Sequence, residues 1–259
     1  MILGIDHIVI AGPDLDRLTA AFKSLGFTVV GGGKHPIGSY NNLIGLEDGA
    51  YIELLSFYED SPEHYWWDAV HERGGGLIDF CMVTDDVRAD YALFEAGGVE
   101  MSPLVGLSRL RVDGYQLSWL NNEVYGAYQG LIPFVIEDET PREERVPKEK
   151  HHANGVTGID TITLAASDLE LARRIMGAAL GQEGEPVKDE DLNASGVAFQ
   201  AGPHRLEYLR PNDASSPLHK HIEANRPVPY RVRFRTDGEA RTIPPEDAAG
   251  VRMTLVSQR

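Results

Sequence analysis

Two residues suited to a metal site or to acid–base chemistry lie in strand-like runs near the start of the chain. His7 lies in GIDHIVIAG (4–12), where alternate side chains of a strand face the same side, so His7 shares a face with Val9. Glu53 lies in YIELLSF (51–57) and shares a face with Tyr51. A neutral imidazole and a carboxylate are suitable ligands for Zn, Fe, Mn or Ni, and they also suit general acid–base catalysis. His7 and Glu53 are therefore candidate metal ligands, and Glu53 is also a candidate catalytic residue.

A second group of polar residues surrounds the turn HPIGSYNN (35–42). His35 and one asparagine, for which we take Asn42, would line the mouth of a site and bond to a polar substrate. In this interpretation His35 is a third metal ligand or a catalytic base. The alternative is turn chemistry, because Gly, Pro and Asn are favoured in turns for backbone reasons. Both interpretations stay open.

Aromatic residues offer an apolar wall for such a site. Tyr115, Leu117 and Trp119 alternate along a strand-like segment, and Tyr51 shares the face of Glu53. If these faces turn inwards, Trp119 and Tyr51 would contact a small organic ligand. Ordinary sheet packing is the alternative for both. The aromatic run at 65–67 would cover one end of the core or act as a lid.

The elements that would position these residues follow the order strand, helix and three strands over the first 57 residues. Residues 4–11 are rich in Ile and Val and predict the first strand. Asp14 is the predicted N-cap of a helix whose apolar residues recur three or four apart, and Gly26 ends that helix. Further strands are predicted at 27–30, 40–46 and 50–57, separated by Gly-rich turns.

This unit is repeated. GIDHIVIAGPDL (4–15) matches GIDTITLAASDL (158–169), and YIELL (51–55) matches RLEYL (205–209). Asp160 minus Asp6 and Glu207 minus Glu53 both give an offset of 154. A shared offset at both ends of the unit indicates a true internal repeat.

Two weaker copies complete the pattern. The first begins with LIDFCMVTDDV (77–87), contains a helix that ends at Gly97 and Gly98, and continues with predicted strands at 99–104, 115–120 and 131–136. The other is shortened, with a first strand at 229–237, a last strand at 250–256 and little room for a helix between them. The charged, Pro-containing segment 137–152 predicts a surface linker. We therefore divide the chain into a first half (1–137), a linker (138–155) and a second half (156–259).

Tandem βαβββ units of this kind resemble the vicinal oxygen chelate superfamily, and within it the glyoxalase-like domain proteins, which share the fold of glyoxalase, bleomycin-resistance proteins and extradiol dioxygenases. The resemblance implies an α+β fold of four tandem βαβββ modules, the last degenerate, that form paired curved mixed sheets. The segments that carry it are 5–29, 35–44, 51–55, 131–138 and 151–160.

The resemblance also implies where the candidate residues lie. In that superfamily the first and fourth strands are adjacent, so His7 and Glu53 would point together into a cup, at positions that commonly bind metal. In the second module Phe80 matches His7, and Phe134 or Pro133 matches Glu53, and none of these residues can bind a metal. In the third module Thr161 replaces the histidine, so we expect the second half to support the fold or a homodimer.

Two classes of function follow from the resemblance. The first is a metal-dependent lyase, isomerase or dioxygenase that acts on a small oxygen-bearing molecule, with a divalent Zn, Fe, Mn or Ni held by His7, Glu53 and a third group. The second is a metal-free protein that binds or sequesters a small molecule, as in the antibiotic-binding branch of the superfamily. Without metal, His7 and Glu53 would be a polar binding pair, an acid–base couple or a structural hydrogen-bonded pair.

The composition limits the classes of partner that the protein can bind. The net charge of −16 argues against nucleic acid and anionic membranes, because both are polyanions. No apolar run approaches the roughly 18 residues of a membrane span, and the first residues have no basic region typical of a signal peptide. The single cysteine, Cys81, lies in an apolar run and is predicted to be a buried structural thiol. We therefore expect a cytoplasmic protein whose partner is a small molecule.

Overall fold

The computed structural model describes residues 1–35, 37–111, 113–224 and 228–258, apart from the side chain of Ala127. Pro36 of the predicted turn lies outside the described residues. In the described part, the chain forms two curved mixed sheets of eight and seven strands with six α-helices, which confirms the predicted fold class. Within the same described ranges, no helix is long and apolar enough to cross a membrane.

The first sheet is built from residues between Ile2 and Asp138 in the order β2-β3-β4-β1-β5-β8-β7-β6. Its strands are β1 (Ile2–Ala11), β2 (Val30–Lys34), β3 (Ser39–Gly45), β4 (Tyr51–Phe57), β5 (Gly76–Thr84), β6 (Val105–Leu110), β7 (Gln116–Asn121) and β8 (Phe134–Asp138). Its helices are α1 (Leu15–Ser24), α2 (Tyr65–His71) and α3 (Val87–Ala96), and the short α4 (Arg142–Arg145) follows it. β1 pairs parallel to β4 and antiparallel to β5, so the two modules meet at the centre of the sheet.

The second sheet repeats this arrangement in the order β10-β11-β12-β9-β13-β15-β14. Its strands are β9 (Val156–Ala165), β10 (Glu185–Asp189), β11 (Ala194–Ala201), β12 (His204–Pro211), β13 (Pro229–Thr236), β14 (Arg241–Ile243) and β15 (Met253–Ser257), with helices α5 (Leu169–Leu180) and α6 (Pro217–Ala224). Thr161 pairs with Arg205 in the same register as His7 with Tyr51, which agrees with the sequence offset of 154.

The shortened fourth module is also observed. Over residues 237–252, all of which are described, β14 and a 3-10 helix (Pro245–Ala248) take the place of an α-helix.

Helix α1 shows why the first unit folds as predicted. The Asp14 side chain accepts a hydrogen bond from the Arg17 N–H and caps the helix. Leu15, Leu18 and Phe22 are buried against the sheet, so the three-or-four spacing gives an apolar helix face as expected. Gly26 follows the helix with φ +91°, a backbone conformation that glycine adopts without steric cost.

Two strand predictions were wrong in position. Residues 27–29 form no strand, and the ring of Phe27 packs against Phe22 and Phe234 in the core. The glycine-rich residues that follow form β2. Residues 99–104 are also outside the regular strands, and β6 begins at Val105. This second displacement moves Arg109 into a strand, with consequences for the site.

The predicted surface linker is not solvated throughout. Arg145 and Val146 are buried, and Arg145 reaches beneath β1 and β4. Polar contacts also join the halves: His204 of β12 contacts Asp48 through Nε2 at 3.1 Å and accepts a hydrogen bond from the Ile5 N–H through Nδ1. The core is continuous across both sheets.

Candidate active site

A cavity of about 130 Å³ lies on the concave side of the first sheet. Its polar lining includes His7, His35, Asn41, Glu53 and Arg109. Its apolar walls come from both modules and from α2, and include Trp66, Leu107, Trp119, Phe134 and Ile136. A mainly apolar pocket with a few convergent polar groups is typical of a small-molecule site.

His7 is fixed from below by a buried carboxylate. Its Nδ1 lies 2.6 Å from Asp6 Oδ1, and its ring stacks on Tyr51 with centroids 4.7 Å apart. Adjacent residues of a regular strand face opposite sides, but a bulge in the β1–β5 pairing falls at Asp6. The bulge allows Asp6 to reach the ring of its own neighbour.

Asp6 is held in turn by the segment that follows the first sheet. Arg145 donates to both Asp6 oxygens at 2.9 and 2.8 Å, and Arg142 donates to Asp6 Oδ2. Burial by itself would raise the pKa of Asp6, but Arg145 and His7 lower it to well below its usual value. Asp6 is therefore an anion that can accept a hydrogen bond from His7 Nδ1, which leaves Nε2 towards the cavity.

Glu53 faces His7 Nε2. Its Oε2 lies 3.5 Å from His7 Nε2, and its Oε1 accepts a hydrogen bond from Asn41 Nδ2 at 2.5 Å. Asn41 is itself oriented by the Gly33 N–H, which donates to its Oδ1 at 2.8 Å. The strand pairing predicted from the resemblance is thus observed, and it brings His7 and Glu53 together in the cavity.

His35 lies on the other side of Glu53. Its Nε2 is 3.8 Å from Glu53 Oε1, and its Nδ1 is 2.9 Å from Ser39 Oγ. Burial lowers the pKa of His35 below its usual value, with Glu53 opposing that shift and Arg109 adding to it. The imidazole is therefore neutral at pH 7, as a metal ligand or a base must be.

Helix α2 closes one end of the cavity. Asp79 of β5 accepts hydrogen bonds from the Tyr65 hydroxyl and, at 3.0 Å, from Trp66 Nε1. Burial raises the pKa of Asp79 to about 6, even though these hydrogen bonds favour its charged form. The aromatic run at 65–67 thus places Tyr65 and Trp66 over the cavity.

Asn42 does not lie where the sequence analysis placed it. Its Nδ2 donates to Thr19 Oγ1 of α1 at 2.9 Å, on the opposite side of β3 from the cavity. Since alternate residues of a strand face opposite sides, Asn41 occupies the cavity position instead. The other predicted site residues, His7, His35, Tyr51, Glu53 and Trp119, all line the cavity.

The expected counterparts in the second module were also misassigned by register. Cys81 pairs with Phe134 as His7 pairs with Tyr51, so Cys81 is the counterpart of His7, and Ile136 is the counterpart of Glu53. Phe80 is buried beside Ile8 on the other face. The aliphatic Ile136 supplies no metal ligand, so the conclusion for that position is unchanged.

Cys81, Asp6 and His7 place potential ligand atoms within 4.8 Å of one another. Burial raises the pKa of the Cys81 thiol well above its usual value, and the predicted buried thiol is confirmed. Asp6 is already paired with two guanidinium groups, which leaves little of its negative charge for a cation. The donor pair that faces the cavity, His7 Nε2 and Glu53, suits a metal better.

Arg109 was not identified from the sequence. Its residue surface is 6% exposed, and no group among the described residues accepts a hydrogen bond from its Nε. Burial lowers the pKa of Arg109, while Tyr51 and Glu53 oppose the shift, and an arginine stays charged in any case. The available signal was that Leu107 and Arg109 would share one face of a strand, but both residues lay outside the predicted strands.

The paired βαβββ modules and the His–Glu pair in their cup define a protein of the vicinal oxygen chelate fold. The sequence profile of the family described as "Glyoxalase-like domain" matches residues 5–180, and the chain belongs to that family. No curated protein matches the chain by sequence.

Solved structures show the same fold. A hypothetical protein from Staphylococcus aureus is 17% identical with a TM-score of 0.72, over 99% of this chain and 100% of that one. A mutant of 4-hydroxymandelate synthase from Streptomyces coelicolor is 13% identical with a TM-score of 0.62, over 100% of this chain and 93% of that one. A xylose isomerase-like TIM barrel/4-hydroxyphenylpyruvate dioxygenase fusion protein is 14% identical with a TM-score of 0.57, over 92% of this chain and 37% of that one.

Proposed function

We propose that this protein is a metal-dependent enzyme, a lyase, isomerase or dioxygenase, that acts on a small oxygen-bearing organic molecule. The observation that carries the proposal is the separation of 3.5 Å between His7 Nε2 and Glu53 Oε2. Both atoms present lone pairs when Asp6 holds the imidazole hydrogen on Nδ1. Two such acceptors face each other stably only if a cation or a proton lies between them.

The residues fit a divalent metal. Two ligands bonded at about 2.1 Å with a tetrahedral angle are roughly 3.4 Å apart, close to the observed separation. A metal-binding histidine usually donates its second N–H to a carboxylate, and His7 does so to Asp6. With His35 as a third ligand, the set would be His7, Glu53 and His35, two imidazoles and a carboxylate.

A metal held there would act as a Lewis acid that polarises an oxygen of the substrate. The surrounding residues supply orientation. Asn41 holds one oxygen of Glu53, and Tyr51 stacks on His7 and fixes its ring plane. Trp119 and Phe134 form apolar walls, and an apolar surrounding strengthens charge interactions in the cavity.

Two of the structural neighbours carry the names of a synthase and a dioxygenase. At their level of identity the likeness shows the fold alone. The printed name of the dioxygenase suggests dioxygenation as the first reaction to screen once a metal has been found.

A second candidate function is metal-free binding of a small molecule. It is favoured by the hydrogen bond of 2.5 Å between Asn41 Nδ2 and Glu53 Oε1, which already satisfies one carboxylate oxygen. It is also favoured by the apolar walls, including Ile136 at the counterpart of Glu53. In this case a proton shared between His7 and Glu53 would replace the metal.

Metal content separates the two functions. Protein purified without a metal-affinity tag would be analysed by plasma mass spectrometry, together with His7→Ala, Glu53→Gln and His35→Ala. The matched control is Glu207→Gln, because Glu207 occupies the register position of Glu53 in the second half but bonds to Arg205 and Arg233.

We expect near-stoichiometric metal in the wild type and in Glu207→Gln, and loss of metal in the His7 and Glu53 variants. Loss in His35→Ala would identify His35 as the third ligand, whereas retained metal would remove His35 from the ligand set. Wild-type protein that stays metal-free after incubation with Zn, Fe, Mn and Ni would exclude the metalloenzyme.

A further inference from the structure

Arg109 presents a buried positive charge to the cavity, and no carboxylate among the described residues is bonded to it. Its residue surface is 6% exposed, and the part of the chain that the structure describes offers no acceptor for its Nε. Within the described ranges, the guanidinium of Arg109 forms no ion pair with a carboxylate. A buried charge is costly unless it is paired, so this arrangement indicates a partner that is not part of the protein.

The other arginine of the cavity has a different role. Arg145 lies against Asp6 and Asp138, and it donates to the Tyr51 hydroxyl at 3.0 Å. Its guanidinium is therefore occupied by the groups that hold His7. Arg109 is left as the cavity-lining cation that can bind an incoming anion.

The position of Arg109 relative to Glu53 is set through β2. A methyl group added to Gly33 would lie 2.9 Å from Arg109 Cδ, so the arginine stem packs directly on the Gly33 backbone. The N–H of the same glycine orients Asn41, and Asn41 bonds to Glu53. The guanidinium and the His7–Glu53 pair thus belong to one connected wall of the cavity.

The apolar residues of the same wall determine which organic group the bound anion can have. Leu107 and Trp119, on β6 and β7, and Phe134, on β8, are apolar surfaces of the same cavity. Its volume of about 130 Å³ is similar to that of a roughly 150 Å³ apolar cavity that binds benzene. The space suits one ring or a branched aliphatic group.

We propose that Arg109 binds the carboxylate of the substrate, and that the substrate is a small monocarboxylic acid with one aromatic ring or a branched apolar body. The planar guanidinium matches a carboxylate through two parallel hydrogen bonds. One guanidinium complements one negative charge, and Glu53 in the same wall disfavours the second charge of a phosphate monoester. The proposal rests on the proposed function, since it places the acid beside the His7–Glu53 pair, but the binding step does not require the metal.

The test compares an acid with its neutral isostere. Binding of benzoate and of benzamide would be measured by titration calorimetry on metal-free and on Zn-incubated protein, and 3-methylbutanoate and its amide would be the second pair of probes. The variants are Arg109→Gln, Arg109→Lys and Gly33→Ala, which keeps the charge but displaces the arginine stem. Arg88→Gln is the control for net charge, because Arg88 is exposed on α3.

We expect the wild type and Arg88→Gln to bind the acid at least 10-fold more tightly than the amide. In Arg109→Gln the acid should bind about 10- to 100-fold more weakly while the amide is unaffected. Arg109→Lys should recover part of the preference, and Gly33→Ala should lose part of it. Thermal unfolding of each variant shows that a lost preference is not lost folding.

Equal binding of acid and amide by the wild type, or no binding of either probe, would overturn the role of Arg109. So would an acid preference that survives in Arg109→Gln. Failure of the metal site gives a different pattern: the acid preference persists in metal-free protein, depends on Arg109, and does not change with Zn. A carboxylate preference that Zn strengthens supports both proposals.

Discussion

Replacing Asp6 by asparagine would remove the charge that two arginines and His7 share beneath the cavity. In the wild type Arg145 donates to both Asp6 oxygens, Arg142 donates to one, and His7 Nδ1 lies 2.6 Å away. Removing one partner of a buried ion pair typically costs about 3–5 kcal/mol, since the remaining charge stays buried. Arg145 keeps Asp138 at 2.5 and 2.8 Å, and Arg142 is partly exposed. We therefore expect the lower end, a loss of about 3 kcal/mol in the free energy of unfolding.

The same substitution should weaken the proposed metal site. Without the carboxylate, the hydrogen of His7 is no longer fixed on Nδ1, and Nε2 presents its lone pair for only part of the time. Loss of such an outer partner typically reduces metal affinity about 10- to 100-fold. Urea unfolding followed by fluorescence and circular dichroism would give the stability, and competition with a chelator would give the affinity.

The repeat supplies the matched control. Asp160 occupies the position of Asp6 in the second half, at the offset of 154. It accepts a hydrogen bond from Thr161 Oγ1 at 2.7 Å, and its side chain is 37% exposed. Asp160→Asn should therefore cost no more than about 1 kcal/mol. If Asp6→Asn cost no more than this control, or left metal affinity unchanged, the assignment of Asp6 as the support of His7 would be wrong.

Two further predictions concern the walls of the cavity. The pKa of Asp79 rises from 3.8 in the unfolded chain to about 6 in the folded protein. The contribution of Asp79 to the free energy of unfolding is therefore present at low pH and is lost as the pH rises through 6. The difference in unfolding free energy between the wild type and Asp79→Asn should decline by about 3 kcal/mol between about pH 3 and pH 7, measured by urea unfolding, and a flat difference would contradict it. Gly32→Ala would place a methyl group against the Asn41 side-chain oxygen, whereas Gly31→Ala meets nothing within 4 Å. The affinity for metal or benzoate should fall in Gly32→Ala alone. Equal affinities in both variants would show that Asn41 does not position Glu53.

Short-range patterns determined much of the fold. The alternation in residues 4–11, the Asp14 cap and the repeat at an offset of 154 predicted the βαβββ units, because these signals depend on neighbours in sequence. The resemblance then brought the first and fourth strands together and so predicted the approach of His7 to Glu53. These residues lie in strands with strong apolar alternation, where the face of each side chain is well determined.

Predictions failed where the backbone departs from regular alternation or where distant segments meet. The sequence does not indicate which of two consecutive asparagines faces the cavity, since a shift of one residue exchanges the faces of a strand. The bulge at Asp6 places that carboxylate on the side of its neighbour His7, contrary to simple alternation.

The charges around the cavity depended on the tertiary structure most of all. The sequence by itself determined the repeated units and the two donor residues, His7 and Glu53. Arg145 comes from a segment with the composition of a surface linker, yet it is buried because two acidic groups are there to receive it. Arg109 lies in a strand that the sequence placed elsewhere. Only long-range packing shows whether a charged residue meets a counter-ion, water or an open cavity, because local sequence does not encode what lies opposite a side chain.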